Sequence, residues 1–140
     1  MTDFSITVEI AASPALVVSV LKDVEHWHEW TASVISIERL DAGPLKVGSR
    51  ARVRQPKLRP AVYQVTEMDE SRGFTWIAQN PGLRVIARHD IEPGAKGTRV
   101  TLSVELTGLL APLVRRLYRD LNQRYVTMEA NGLKARCEAV

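Results

Sequence analysis

The chain has 140 residues, 45% of them apolar and 25% charged, which suits one compact soluble domain and argues against intrinsic disorder. Its 19 Lys and Arg against 16 Asp and Glu give a net charge of +3, too mild a balance to make a nucleic-acid binder. A single cysteine, Cys137, excludes an intrachain disulfide and a multi-cysteine metal site, and no apolar run reaches the roughly 20 residues of a membrane span.

Residues Asp3 to Ile10 alternate, with Phe4, Ile6, Val8 and Ile10 on one face, and predict a strand with one wet side. Ser13-Pro14 is a helix start: serine caps the first amides and proline suits the first helical position. The helix runs through Leu16, Val17, Val20 and Leu21. Asp23 opens a second short helix, Val24 to Trp30, with Trp27 and Trp30 three apart on one face.

Strands separated by turn signals follow. Val34 to Leu40 ends at Asp41-Ala42-Gly43-Pro44. Ser49 to Gln55 places Arg50, Arg52 and Arg54 opposite Ala51, Val53 and Gln55. After a link bracketed by Pro56 and Pro60, Ala61 to Met68 turns Ala61, Tyr63 and Val65 one way. Phe74, Trp76 and Ala78 share a face in the next strand, which ends at Asn80-Pro81-Gly82. Leu83 to Glu92 sets Leu83, Val85, Ala87, His89 and Ile91 against Arg84, Ile86, Arg88 and Asp90. A loop over 93–97 leads into Thr98 to Thr107, whose Val100, Leu102, Val104 and Leu106 share a face.

The rest reads as one helix from Leu109 to about Arg136, about 40 Å long at 1.5 Å per residue. Leu110, Val114, Leu117, Leu121, Tyr125 and Met128 form its apolar stripe. Pro112 is tolerable in the first turn, and Gly132 weakens the last turns and blurs the helix end. The fold class is α+β: a curved antiparallel sheet of about seven strands around a long C-terminal helix, with two short helices between strands 1 and 2. A sheet gripping one helix often leaves a cavity between them.

Several segments together resemble the START/polyketide-cyclase superfamily, the helix-grip fold of the birch-pollen allergen. They are Ala12-Ser13-Pro14, Asp23 to Trp30, Gly43 to Ser49, Val65-Thr66-Glu67, Phe74-Thr75-Trp76 and Gly97 to Leu102. The resemblance spans nearly the whole chain as one domain, residues 1–140. It implies a deep, mostly apolar cavity for a small hydrophobic molecule such as a lipid, quinone or aromatic polyketide. Some members catalyse cyclisation or dehydration in that cavity.

The concave face should present Val53, Gln55, Tyr63, Val65, Phe74, Trp76, Ala78, Val85, Ala87, His89 and Leu102. Trp27, Trp30, Tyr118, Asn122, Tyr125 and Met128 are candidates for the mouth or the helix side. The apolar members serve equally well as plain core. His89 is the candidate acid–base residue or ligand anchor, its alternative being a neutral core histidine satisfied by one partner. Gln55 and the tyrosines are candidate donors to a ligand carbonyl. Trp27 and Trp30 form either an aromatic wall at the entrance or the packing surface of a short helix.

No metal is expected, because His26 and His28 diverge by about 200° on a helix and zinc needs three or four converging ligands. No cofactor is called for, no nucleophile is armed and no phosphate loop is present. The partner that the resemblance implies is a small hydrophobic molecule, and no nucleic acid is expected. Arg115, Arg116, Arg119 and Arg124 make transient membrane contact a further expectation. The chain would act as a monomer or homodimer. It starts Met1-Thr2-Asp3 with no secretory pattern, which places it in the cytoplasm.

Three functions compete on these residues. The first is binding, with or without transport, of a hydrophobic ligand. The second is a polyketide cyclase or aromatase-type enzyme in the same cavity. The third is a protein-interaction module using the Arg50, Arg52 and Arg54 row with Arg84 and Arg88 on the convex face, whose plain alternative is a solvated sheet face.

Overall fold

The computed structural model of the protein describes residues 2–139. Among them, β1 (Phe4–Ile10) is followed by α1 (Pro14–Lys22) and a 3-10 helix (Val24–Glu29). The strands β2 (Ser36–Arg39), β3 (Arg50–Arg54), β4 (Ala61–Asp69), β5 (Gly73–Asn80), β6 (Leu83–Gly94) and β7 (Gly97–Thr107) come next. Two helices, α2 (Ala111–Leu117) and α3 (Arg119–Glu138), close the chain.

The strands form one antiparallel sheet in the order β1-β7-β6-β5-β4-β3-β2. Six of them therefore make a hairpin meander, and β1 joins it from the far end of the sequence, with Phe4 opposite Val104 and Ile10 opposite Thr98. Period-two alternation fixes which face each residue takes. Ala51 and Val53 are buried while Arg50, Arg52 and Arg54 are exposed. A bulge shifts the β4 register between Val65 and Glu67. It falls after Val65, so Tyr63 and Val65 keep the inward face, and it turns Met68 inward opposite Phe74.

The helix starts follow their sequence signals. Ser13 Oγ accepts from the Leu16 amide at 3.3 Å, and Pro14 occupies the first turn of α1. Trp27 Nε1 donates to the Leu21 carbonyl at 3.0 Å, which fixes the 3-10 helix against α1.

The C-terminal segment corrects the expectation of one helix. It breaks at Tyr118 into α2 and α3. The Leu110 amide donates to the Gly82 carbonyl at 2.8 Å, and Arg115 Nε to Asp3 Oδ1 at 2.6 Å. These bonds hold α2 beside the β5–β6 turn and the start of β1. The predicted stripe holds only in part: Tyr125 is buried and Val114 packs against the core, but Leu110 is 45% and Leu117 65% exposed. The face that α3 buries is Val126, Ala130, Leu133 and Cys137, with Tyr125 beside it. Lys134 Nζ donates to the Glu9 carbonyl at 2.7 Å, and the Ala11 amide donates to Glu138 Oε2 at 2.8 Å, fastening α3 across β1. Gly132 lies inside α3 and does not end it.

Candidate functional site

The concave face of the sheet is rich in aromatic rings. Trp27, from the 3-10 helix, packs onto them, with ring centroids 5.4 Å from Trp30, 5.5 Å from Trp76 and 6.3 Å from Phe74. Tyr63 packs 5.2 Å from Trp76. Between these rings and α3 is a cavity of ≈ 80 Å³. A single water needs roughly 10–15 Å³ of such space, and ligand pockets commonly run to about 300–1,000 Å³. The deep cavity that the resemblance implied is thus a small one, because Trp27, Tyr63 and Trp76 fill much of the grip.

Of the candidate residues, Trp27, Val53, Gln55, Tyr63, Trp76, Val85, Ala87, His89, Asn122 and Tyr125 line this cavity. The others do not. Val65, Phe74, Ala78 and Leu102 are buried in the surrounding core, where neighbouring side chains cover them. Trp30 is half-buried and packs on Trp27 without reaching the cavity. Tyr118 is 40% exposed, because the helix break carries it away from the sheet. Met128 is half-buried outside the lining. Val34, Val104, Val126 and Glu129 complete the lining and lie outside the candidate set.

Glu129 matters most among these. Asn122, Tyr125 and Glu129 recur at i, i+3 and i+7, which puts them on one helix face. That spacing is present in the sequence, but an apolar-stripe pattern gives no weight to a carboxylate.

His89 is 3% exposed and stacks on the Phe74 ring, centroids 4.4 Å apart. Its Nδ1 lies 3.1 Å from the Phe74 carbonyl oxygen. A carbonyl only accepts, so Nδ1 carries a proton and Nε2 is the ring atom left for other chemistry. Nε2 lies 3.4 Å from Glu129 Oε1, within ion-pair range but longer than a well-formed hydrogen bond. Glu129 Oε1 is buried and has no hydrogen-bond partner. Burial pushes the Tyr63 phenol up to about 12, and the Glu129 carboxylate adds to the shift.

Other polar groups of the lining each engage one donor. Gln55 Nε2 donates to the Ser33 carbonyl at 3.2 Å and Asn122 Nδ2 to the Tyr118 carbonyl at 2.9 Å. The Tyr125 hydroxyl donates to the Pro56 carbonyl, which ties the 55–60 loop to α3 beside the cavity.

His26 Nδ1 lies 2.7 Å from Asp23 Oδ1, and among the described residues no three His, Cys, Asp or Glu converge as metal ligands. On the convex face Arg52 pairs with Glu38 at 2.8 Å and Arg88 with Glu105 at 3.0 Å, so the basic row is partly neutralised. Among the described residues no helix is long and apolar enough to cross a membrane.

The family described as "Polyketide cyclase / dehydrase and lipid transport" matches residues 1–138. No curated protein matches the chain. Solved structures share its fold. The TTHA0849 protein of Thermus thermophilus is 22% identical with a TM-score of 0.79, covering 97% of each chain. A START superfamily protein of Mycobacterium smegmatis is 22% identical, TM-score 0.70, covering 96% of each chain. Major latex-like protein 151 of Panax ginseng is 13% identical, TM-score 0.78, covering 96% of this chain and 95% of its own. At these identities the likeness is one of fold.

Proposed function

Since the chain belongs to the polyketide cyclase/dehydrase and lipid transport family, we propose that it binds a small hydrophobic molecule between the sheet and α3. The observation that carries this reading is the aromatic-walled cavity under Tyr125. Rings of this kind bind through area, about 25 cal/mol for each Å² of apolar surface removed from water. With ≈ 80 Å³ of free space the occupant is compact, or it inserts a compact head group and displaces the 55–60 loop.

Mass spectrometry of the intact protein purified from its own host, followed by solvent extraction, tests the reading. The expected result is a retained lipid-, quinone- or polyketide-like molecule. A protein that is empty, and whose melting point no hydrophobic ligand raises, counts against it.

Transport is the further step of the same proposal. Leu109, Leu113 and Leu117 are 93%, 52% and 65% exposed beside the exposed Arg116 and Arg119. Apolar side chains flanked by cations suit the surface of an anionic membrane.

A cyclase or aromatase-type activity is the second reading, favoured by the contact of His89 with Glu129. An imidazole and a carboxylate that meet from the sheet and helix walls of one cavity can hold and release a proton beside a bound carbonyl compound. In that case His89→Gln loses turnover and keeps ligand binding; loss of both together counts against it.

A further inference from the structure

We infer that the cavity selects ligands bearing an alcoholic or phenolic hydroxyl, which Glu129 and Tyr63 recognise together. The inference rests on the ligand-binding reading and adds the chemical class. Gln55, Asn122 and Tyr125 have each committed one donor to a protein carbonyl, and His89 has committed Nδ1. Besides His89 Nε2, which lies 3.4 Å from Glu129 Oε1, two groups in the lining are left. Glu129 Oε1 is an acceptor without a hydrogen bond. The Tyr63 hydroxyl hydrogen-bonds no described residue and is a donor held in its neutral form.

A buried acceptor left unmade is costly, and a ligand that satisfies it recovers that cost. The complementary ligand group must donate to Glu129 and accept from Tyr63. A hydroxyl does both. An ether or ketone accepts only and leaves the carboxylate unsatisfied. A carboxylate ligand is also repelled, being a like charge in a site of low dielectric. The apolar body of the ligand then lies against Trp27 and Trp76.

The test is a titration of ¹⁵N-labelled protein with 4-methylphenol, 4-methylanisole, toluene and 4-methylbenzoate. The indole Nε1–H signals of Trp27 and Trp76 report on the cavity. The phenol is expected to bind at least about tenfold more tightly than its ether or toluene, the discrimination of one charge-assisted hydrogen bond. The benzoate should give no shift with the native protein and regain binding in Glu129→Gln. Tyr63→Phe should narrow the preference for phenol over toluene.

Equal affinity for phenol, ether and toluene overturns the inference and leaves the cavity reading standing. If none of the four moves either indole signal, both fall. Tight binding of the benzoate to the native protein also overturns the inference, because it puts no carboxylate in the recognition site.

Discussion

A Cβ on Gly132 would stand 1.9 Å from the Trp30 carbonyl oxygen. Glycine in a helix ordinarily costs about 1 kcal/mol relative to alanine. Here the missing side chain lets α3 approach the backbone that carries the tryptophan pair. The sign of the usual substitution is therefore reversed: Gly132→Ala should destabilise by at least about 2 kcal/mol, because backbone must move to admit the methyl group. Urea unfolding at unchanged slope measures it, and a stabilised variant would refute the contact. Cys137 is the contrasting residue. It is buried, and burial pushes its thiol up to about 11. The native protein should resist thiol reagents at about pH 8 and react only on unfolding, as a timed labelling experiment would show.

Strand faces are readable because a half-buried strand writes its environment into alternate residues. That pattern turns Val53, Tyr63, Trp76 and Ala87 inward, and all four line the cavity. The helical end is not readable in the same way. Leu110, Leu113 and Leu117 carry the strongest apolar signal, yet α2 leaves them in solvent. The face that α3 buries contains Ala130 and Gly132, whose small size allows close packing but gives little hydrophobic signal. Alternation also says which face a ring takes, and not how far it fills the space, so the cavity's small volume is invisible in the sequence. The anchor of α3 makes its own prediction. The Ala11 amide and Lys134 hold the Glu138 carboxyl below the usual carboxylate range. Its folded-state value is below the unfolded one, so the contribution is complete above about pH 4.3, the ordinary glutamate value. It is lost as pH falls through the lowered value. Glu138→Gln should therefore flatten the acid limb of the stability–pH curve, and an unaltered limb would show that the anchor does not couple to folding.

At the scale of the whole molecule, the proposed function divides between an interior that would hold a ligand and an edge that would meet a membrane. The polar pole of the cavity is on β4, β6 and α3, while the exposed leucines are on and just before α2, one residue across the Tyr118 break from α3. If the edge serves delivery, the protein should float with vesicles containing anionic lipid and not with zwitterionic ones. A Leu113→Gln, Leu117→Gln variant should lose most of that binding while keeping its melting point, since both side chains are already in water. Equal flotation of the variant would place membrane contact elsewhere. All three tryptophans of the chain belong to the one ring cluster, Trp27 touching both Trp30 and Trp76. Their excited states are close enough to exchange energy, so the tryptophan emission of the unlabelled protein comes from the neighbourhood of the cavity alone. The protein thus carries its own dye: an occupant arriving under Tyr125 should change the colour and intensity of that light, with no background from tryptophans elsewhere.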